Sequence, residues 1–93
     1  MISPMSEPTR GTAGRLALVV DDDPAARLLA SEGLGREGFA VVEAATVDTA
    51  RSALAEHPVD IVILDLGLPD DNGLKLLSEL REDGDLPVLI VSG

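Results

Sequence analysis

The sequence contains no cysteine, which excludes disulfides, thiolate metal sites and cysteine nucleophiles. That usage suits a reducing compartment, so the expected location is cytoplasmic. Trp and Tyr are also absent and Phe39 is the single aromatic residue, so any core must be built from Val, Leu, Ile and Ala. Basic residues are few: 7 Lys and Arg stand against 17 Asp and Glu, for a net charge of −10. Nucleic acids and anionic membranes need basic patches, so neither is expected as a direct ligand of this segment. The acidic surplus is compatible with cation binding. No run approaches the roughly 18 apolar residues of a membrane span. Met1 to Gly14 lacks the basic and apolar regions of a secretion signal. Its Ser, Pro, Thr and Gly content reads as a disordered leader over residues 1–14. Residues 15–93 remain for one small domain.

Within that domain, short aliphatic runs alternate with helical periods. Leu16 to Val20 is a continuous aliphatic run ending at Asp21, the pattern of a strand buried on both faces. Asp23 can cap a helix and Pro24 suits its first turn. Ala26, Leu29, Ala30, Gly33 and Leu34 then recur at helical spacing, and Gly38 closes the helix. Phe39 to Ala44 is a second strand. Thr46 caps a second helix in which Val47, Ala50 and Leu54 share a face, and Pro58 ends it. Asp60 to Asp65 carries Ile-Val-Ile-Leu, the clearest buried strand in the chain. Leu66 to Asn72 is a loop of Gly, Pro and Asp. Gly73, Leu76, Leu77 and Leu80 mark a third helix, and Pro87 to Val91 a fourth strand. The order β-α-β-α-β-α-β implies an α/β fold with parallel strands and right-handed crossovers. Ligands of such sheets sit beyond the carboxyl ends of the strands.

At that edge fall Asp21 and Asp22 after the first strand, Asp65 after the third and Ser92 after the fourth. If the first and third strands are neighbours, three carboxylates converge. Crowded like charges in a partly buried cleft raise at least one pKa unless a cation intervenes. Mg²⁺ takes oxygen ligands, keeps several waters and so fits a few carboxylates in an open cleft. A carboxylate beside it can act as a nucleophile toward a phosphoryl group. Other acids carry plainer readings. Asp23 is a helix cap, Asp60 starts a strand at the opposite rim, and Asp70 and Asp71 are solvated loop acids.

Leu18-Val19-Val20-Asp21-Asp22-Asp23-Pro24, Val62-Ile63-Leu64-Asp65-Leu66-Gly67-Leu68-Pro69, Gly73 and Pro87-Val88-Leu89-Ile90-Val91-Ser92-Gly93 together resemble the receiver domain of two-component response regulators, in order and spacing from about Leu16 to Gly93. The resemblance implies a flavodoxin-like, doubly wound parallel sheet with strand order 2-1-3-4. It implies that Asp65 accepts a phosphoryl group from a histidine kinase or phosphotransfer protein, switching a partner or output domain. Asp22 resembles the direct Mg²⁺ ligand, and Asp21 the acid acting mainly through metal-bound water. Gly67 stands where the family offers a backbone carbonyl to the metal. Ser92 resembles the hydroxyl residue that turns toward the phosphate. Pro69 and Gly73 resemble the residues that shape the loop and helix entry after the acceptor. Such a protein is a phospho-acceptor, not an enzyme beyond self-phosphorylation and autodephosphorylation.

The resemblance stops after the fourth strand. The family's fourth helix, fifth strand and fifth helix have no counterpart, nor does the lysine that ends the fifth strand. Lys75, the only lysine, lies on the third helix and reads as solvated. The expectation is a partial receiver over residues 15–93, cut by design or proteolysis, or one completed by dimerisation or strand exchange. The fourth strand becomes an exposed aliphatic edge and the first helix keeps uncovered apolar surface. Phosphorylation is expected to be impaired more than Mg²⁺ binding. An interaction module with weak or no phosphotransfer is the alternative. A haloacid-dehalogenase-like phosphatase would need a second acid two residues after Asp65, where Gly67 stands.

Overall fold

The structure is a computed structural model and describes residues 14–66 and 73–91. The leader expected over residues 1–14 therefore falls outside it except for Gly14. So do Gly67, Pro69, Asp70, Asp71 and Ser92.

The elements follow in the order β1 (Leu16–Val20), α1 (Pro24–Arg36), β2 (Ala40–Ala44), α2 (Val47–Glu56), β3 (Ile61–Asp65), α3 (Gly73–Asp83) and β4 (Val88–Val91). The four strands form one sheet in the order β2-β1-β3-β4. Every pairing is parallel. This is the doubly wound, flavodoxin-like arrangement. Phe39 and Pro87 lie just before the strands they were expected to begin, because ladder pairing starts one residue later.

The local signals act as their chemistry dictates. Asp23 caps α1 by accepting the Ala25 N–H at 3.1 Å, with Pro24 in the first turn. Gly38, at φ 100°, follows the end of α1 in a conformation that side chains with a Cβ rarely adopt. Thr46 caps α2 through a reciprocal box with Thr49. Asp60 sits at the amino rim of the sheet, where its carboxylate accepts the Leu16 N–H at 2.7 Å. It is thus kept away from the acids at the carboxyl rim.

Alternation along β1 and β3 builds two unequal layers. Leu18, Val20, Val62 and Leu64 face α2 and α3 and pack with Val47, Ala50, Ala53, Leu76 and Leu80 as the main core. Leu54, expected on the buried face of α2, packs at the margin of that core. Arg51 of α2 clasps Glu79 of α3 through two hydrogen bonds of 3.0 and 2.7 Å. On the opposite face, Val19 and Ile63 meet Ala26 and Ala30 of α1 around a shallow groove of about 230 Å³.

The α1 layer corrects one expectation. No residue of α1 is buried, and Leu29, assigned by spacing to its apolar face, is 70% exposed. Ala26 and Ala30, read at the same spacing as Leu29, do turn toward the sheet, and Leu28 and Leu29 lie outward. The expected exposed edge is present: Leu89, Ile90 and Val91 of β4 are all exposed.

Candidate functional site

The register brings the acids together. Val20 pairs with Leu64, so Asp21 and Asp65 leave adjacent strands side by side at the carboxyl rim. Asp65 is the last residue of β3 and only 7% exposed, the single buried charged residue among those described. Asp21 is half-buried, and Asp22 is exposed. Carboxylate oxygens from Asp21, Asp22 and Asp65 all lie within 4.8 Å of one another. Asp21 and Asp65 also line the rim end of the α1-side groove, together with Val91.

The loop between β1 and α1 is held at several points. The Asp21 N–H donates to the Ala44 carbonyl at 3.0 Å. The Asp21 carboxylate accepts the Asp23 N–H at 2.9 Å. Arg27 donates through Nη1 to the Asp21 carbonyl at 2.9 Å and through Nε to Glu43 Oε1 at 3.1 Å. Arg27 and Glu43 were not anticipated as neighbours of the site. One is a helix residue and the other a polar residue of β2, and only the β2-β1 pairing makes them meet.

Burial raises the Asp21 carboxyl above its ordinary value of 3.8. The Asp23 N–H pulls it down, while the charge of Asp65, a hydrogen bond with the Asp65 carboxyl and the charge of Asp22 push it up. The site therefore carries more negative charge than it holds comfortably. Three oxygen donors at that spacing suit a hard divalent cation.

The profile of the response regulator receiver domain family matches residues 17–93. The chain belongs to that family.

The receiver domain is 44% identical over 77 residues to the transcriptional regulatory protein KdpE of Mycobacterium tuberculosis, covering 83% of this chain and 34% of that protein. It is 41% identical over 81 residues to the transcriptional regulatory protein AruR of Pseudomonas aeruginosa, covering 82% of this chain and 33% of that protein. The chain thus spans about a third of the length of these relatives. Among solved structures, a CheY-like receiver domain from Methylobacillus flagellatus superposes with a TM-score of 0.77 at 33% identity, covering 85% of this chain and 70% of that one. The MaeR response regulator bound to beryllium trifluoride superposes with a TM-score of 0.80 at 28% identity, covering 85% and 67%. Receiver domains act as phospho-acceptors in two-component signalling, and they generally bind Mg²⁺ at an acidic pocket.

The entry to α3 packs against the backbone at the end of β3. A Cβ added at Gly73 would lie 2.7 Å from Leu66 Cα and 3.0 Å from the Asp65 carbonyl oxygen. Both are backbone atoms, so no side chain can swing aside. Gly73→Ala is expected to lower stability by about 1–3 kcal/mol, as overpacking does. A urea melt with an unchanged midpoint would show that α3 enters by another path.

Proposed function

We propose that Asp65 is the phosphoryl acceptor, that Asp21, Asp22 and Asp65 hold Mg²⁺, and that the donor is a histidine kinase or phosphotransfer protein. The observation that supports this most is the convergence of three carboxylates from two neighbouring strand ends within 4.8 Å. Bound there, Mg²⁺ would supply positive charge beside the attacking and transferring oxygens.

The chain's own part is positioning and nucleophilic attack. A carboxylate oxygen of Asp65 forms a bond to phosphorus while the P–N bond of the phosphohistidine donor breaks. The imidazole nitrogen keeps the electron pair and takes a proton from solvent. β3 fixes the nucleophile at the rim, and burial keeps bulk water from competing for it. From the family resemblance, the Gly67 carbonyl would add a metal ligand and the Ser92 hydroxyl would bond the new phosphate oxygens. An attached or separate output partner then reads the phosphorylated state.

Self-phosphorylation follows the same chemistry, with acetate leaving from acetyl phosphate as its P–O bond breaks. Incubation with acetyl phosphate and Mg²⁺ is expected to give a singly phosphorylated species by intact-mass measurement, even if in low yield. No adduct at any donor concentration would overturn the assignment.

A pH prediction follows from Asp21. Its folded-state carboxyl holds a proton more tightly than in the unfolded chain, where the value is 3.8. The metal-free protein is therefore expected to lose this contribution as pH rises from that value through the raised one. Mg²⁺ reverses the trend by favouring the charged form. At a hundredfold excess over Kd it should stabilise by about 2.7 kcal/mol near neutral pH. As pH falls toward 3.8 and Asp21 takes up its proton, Mg²⁺ should add less. Equal Mg²⁺ stabilisation at both pH values in thermal melts would contradict this.

A second reading, assembly, is favoured by the exposed aliphatic edge of β4. Antiparallel pairing of two β4 edges would give a homodimer. Sedimentation at increasing concentration tests it, and a constant monomer mass would remove it.

A further inference from the structure

We propose that Arg27 is a positioning residue for the cation site, with Glu43 as its tether. The proposal rests on reading the three acids as that site. Asp22 must present its exposed carboxylate to the same point as Asp21 and Asp65, so the peptide joining Asp21 to Asp22 needs a fixed orientation. The preceding N–H is held by the Ala44 carbonyl of β2 at 3.0 Å. On the far side, Asp23 is committed to capping α1, and its carbonyl accepts the Arg27 N–H at 2.9 Å.

The orientation of the Asp21–Asp22 peptide plane itself is set by its carbonyl, and the group bound to that oxygen is Arg27 Nη1, at 2.9 Å. The guanidinium reaches that oxygen because Nε is anchored on Glu43 at 3.1 Å. Arg27 is largely covered, with a side chain 21% exposed. Glu43 stands one residue before Ala44, so the same stretch of β2 fixes both the N–H and, through Arg27, the C=O of Asp21. A planar fork spans two acceptors in a way a lysine ammonium cannot.

A purely structural staple and a positioning residue predict different results for cation affinity. Simple charge counting also predicts the opposite sign, because removing a cation near three carboxylates should strengthen Mg²⁺ binding. The experiment is calorimetric titration of Mg²⁺ into the full chain and its variants. Arg27→Gln is expected to weaken binding about tenfold, the usual scale for partners that orient a ligand. Arg27→Lys keeps the charge and one of the two bonds, and should fall between. Should Arg27→Gln fail to fold, the lysine variant carries the test.

Glu43→Gln should weaken binding less than Arg27→Gln and add nothing in its background, because it acts through Arg27. Arg51→Gln is the control. It breaks the α2–α3 clasp and should lower the melting temperature without altering Mg²⁺ affinity. Parent-like or tighter binding by both Arg27 variants overturns the proposal while leaving the cation site standing. Additive effects of Glu43→Gln and Arg27→Gln overturn the tether. No Mg²⁺ binding by the parent removes the site itself, and the proposal with it.

Discussion

Asp65→Asn is expected to abolish phosphoryl transfer while leaving the protein folded. The amide keeps the shape of the side chain but offers no anionic oxygen to phosphorus, so transfer should fall by on the order of 10³ or more. The fold has reason to tolerate the change. Asp65 is the buried member of a crowded acidic group, and its charge helps to push the Asp21 carboxyl upward. Removing that charge relieves repulsion in the metal-free protein, so its melting temperature should hold or rise. Mg²⁺ should at the same time bind more weakly, because one of three anionic ligands is gone. Intact-mass measurement after treatment with acetyl phosphate, beside thermal melts with and without Mg²⁺, reads all three effects. Stoichiometric labelling of the variant would place the acceptor elsewhere.

Leu64→Ala is expected to be strongly destabilising. Leu64 is fully buried and packs with Leu18, Val20, Val62, Leu76 and Leu80 between the sheet and α2–α3. Truncation of a leucine in such a site costs about 2–5 kcal/mol through lost burial and the cavity left behind. Domains of this size are held by roughly 0.05–0.15 kcal/mol per residue, so the loss is a large fraction of the whole. Leu64 also precedes Asp65 on β3, so any collapse into the cavity draws Asp65 away from Asp21. Urea unfolding checks the magnitude. A loss below about 1 kcal/mol would mean that the α2–α3 layer does not depend on this contact.

Most of the architecture was legible because each strand is an aliphatic run with a chemical stop. Val20 runs into Asp21, and Ile61 to Leu64 run into Asp65. The helix caps at Asp23 and Thr46 were legible for the same reason, since their side chains act locally on the next turn. The meeting of Asp21, Asp22 and Asp65 followed once β1 and β3 were taken as neighbours, and the register pairing Val20 with Leu64 places them so.

The facing of α1 was legible except at Leu29. Its spacing put Ala26 and Ala30 toward the sheet, but Leu29, grouped with them, is left exposed because the apolar residues of α1 are spread around the helix. The Arg27–Glu43 bridge was equally hidden. The two residues are sixteen apart, and nothing local to either one names its partner. The strand ends resembled a known family, while the contacts that orient the acids arise only from tertiary pairing.

The proposed divalent-cation site places the carboxylates of Asp21, Asp22 and Asp65 together at the carboxyl rim. Paramagnetic broadening by substoichiometric Mn²⁺, followed residue by residue in an amide correlation spectrum, tests it most directly. Early loss of the Asp21 to Asp23 and Asp65 to Leu66 resonances is expected, with recovery on adding excess Mg²⁺ and little effect at Asp60 on the opposite rim. Uniform broadening across the acidic surface, or loss centred on Asp60, would contradict it.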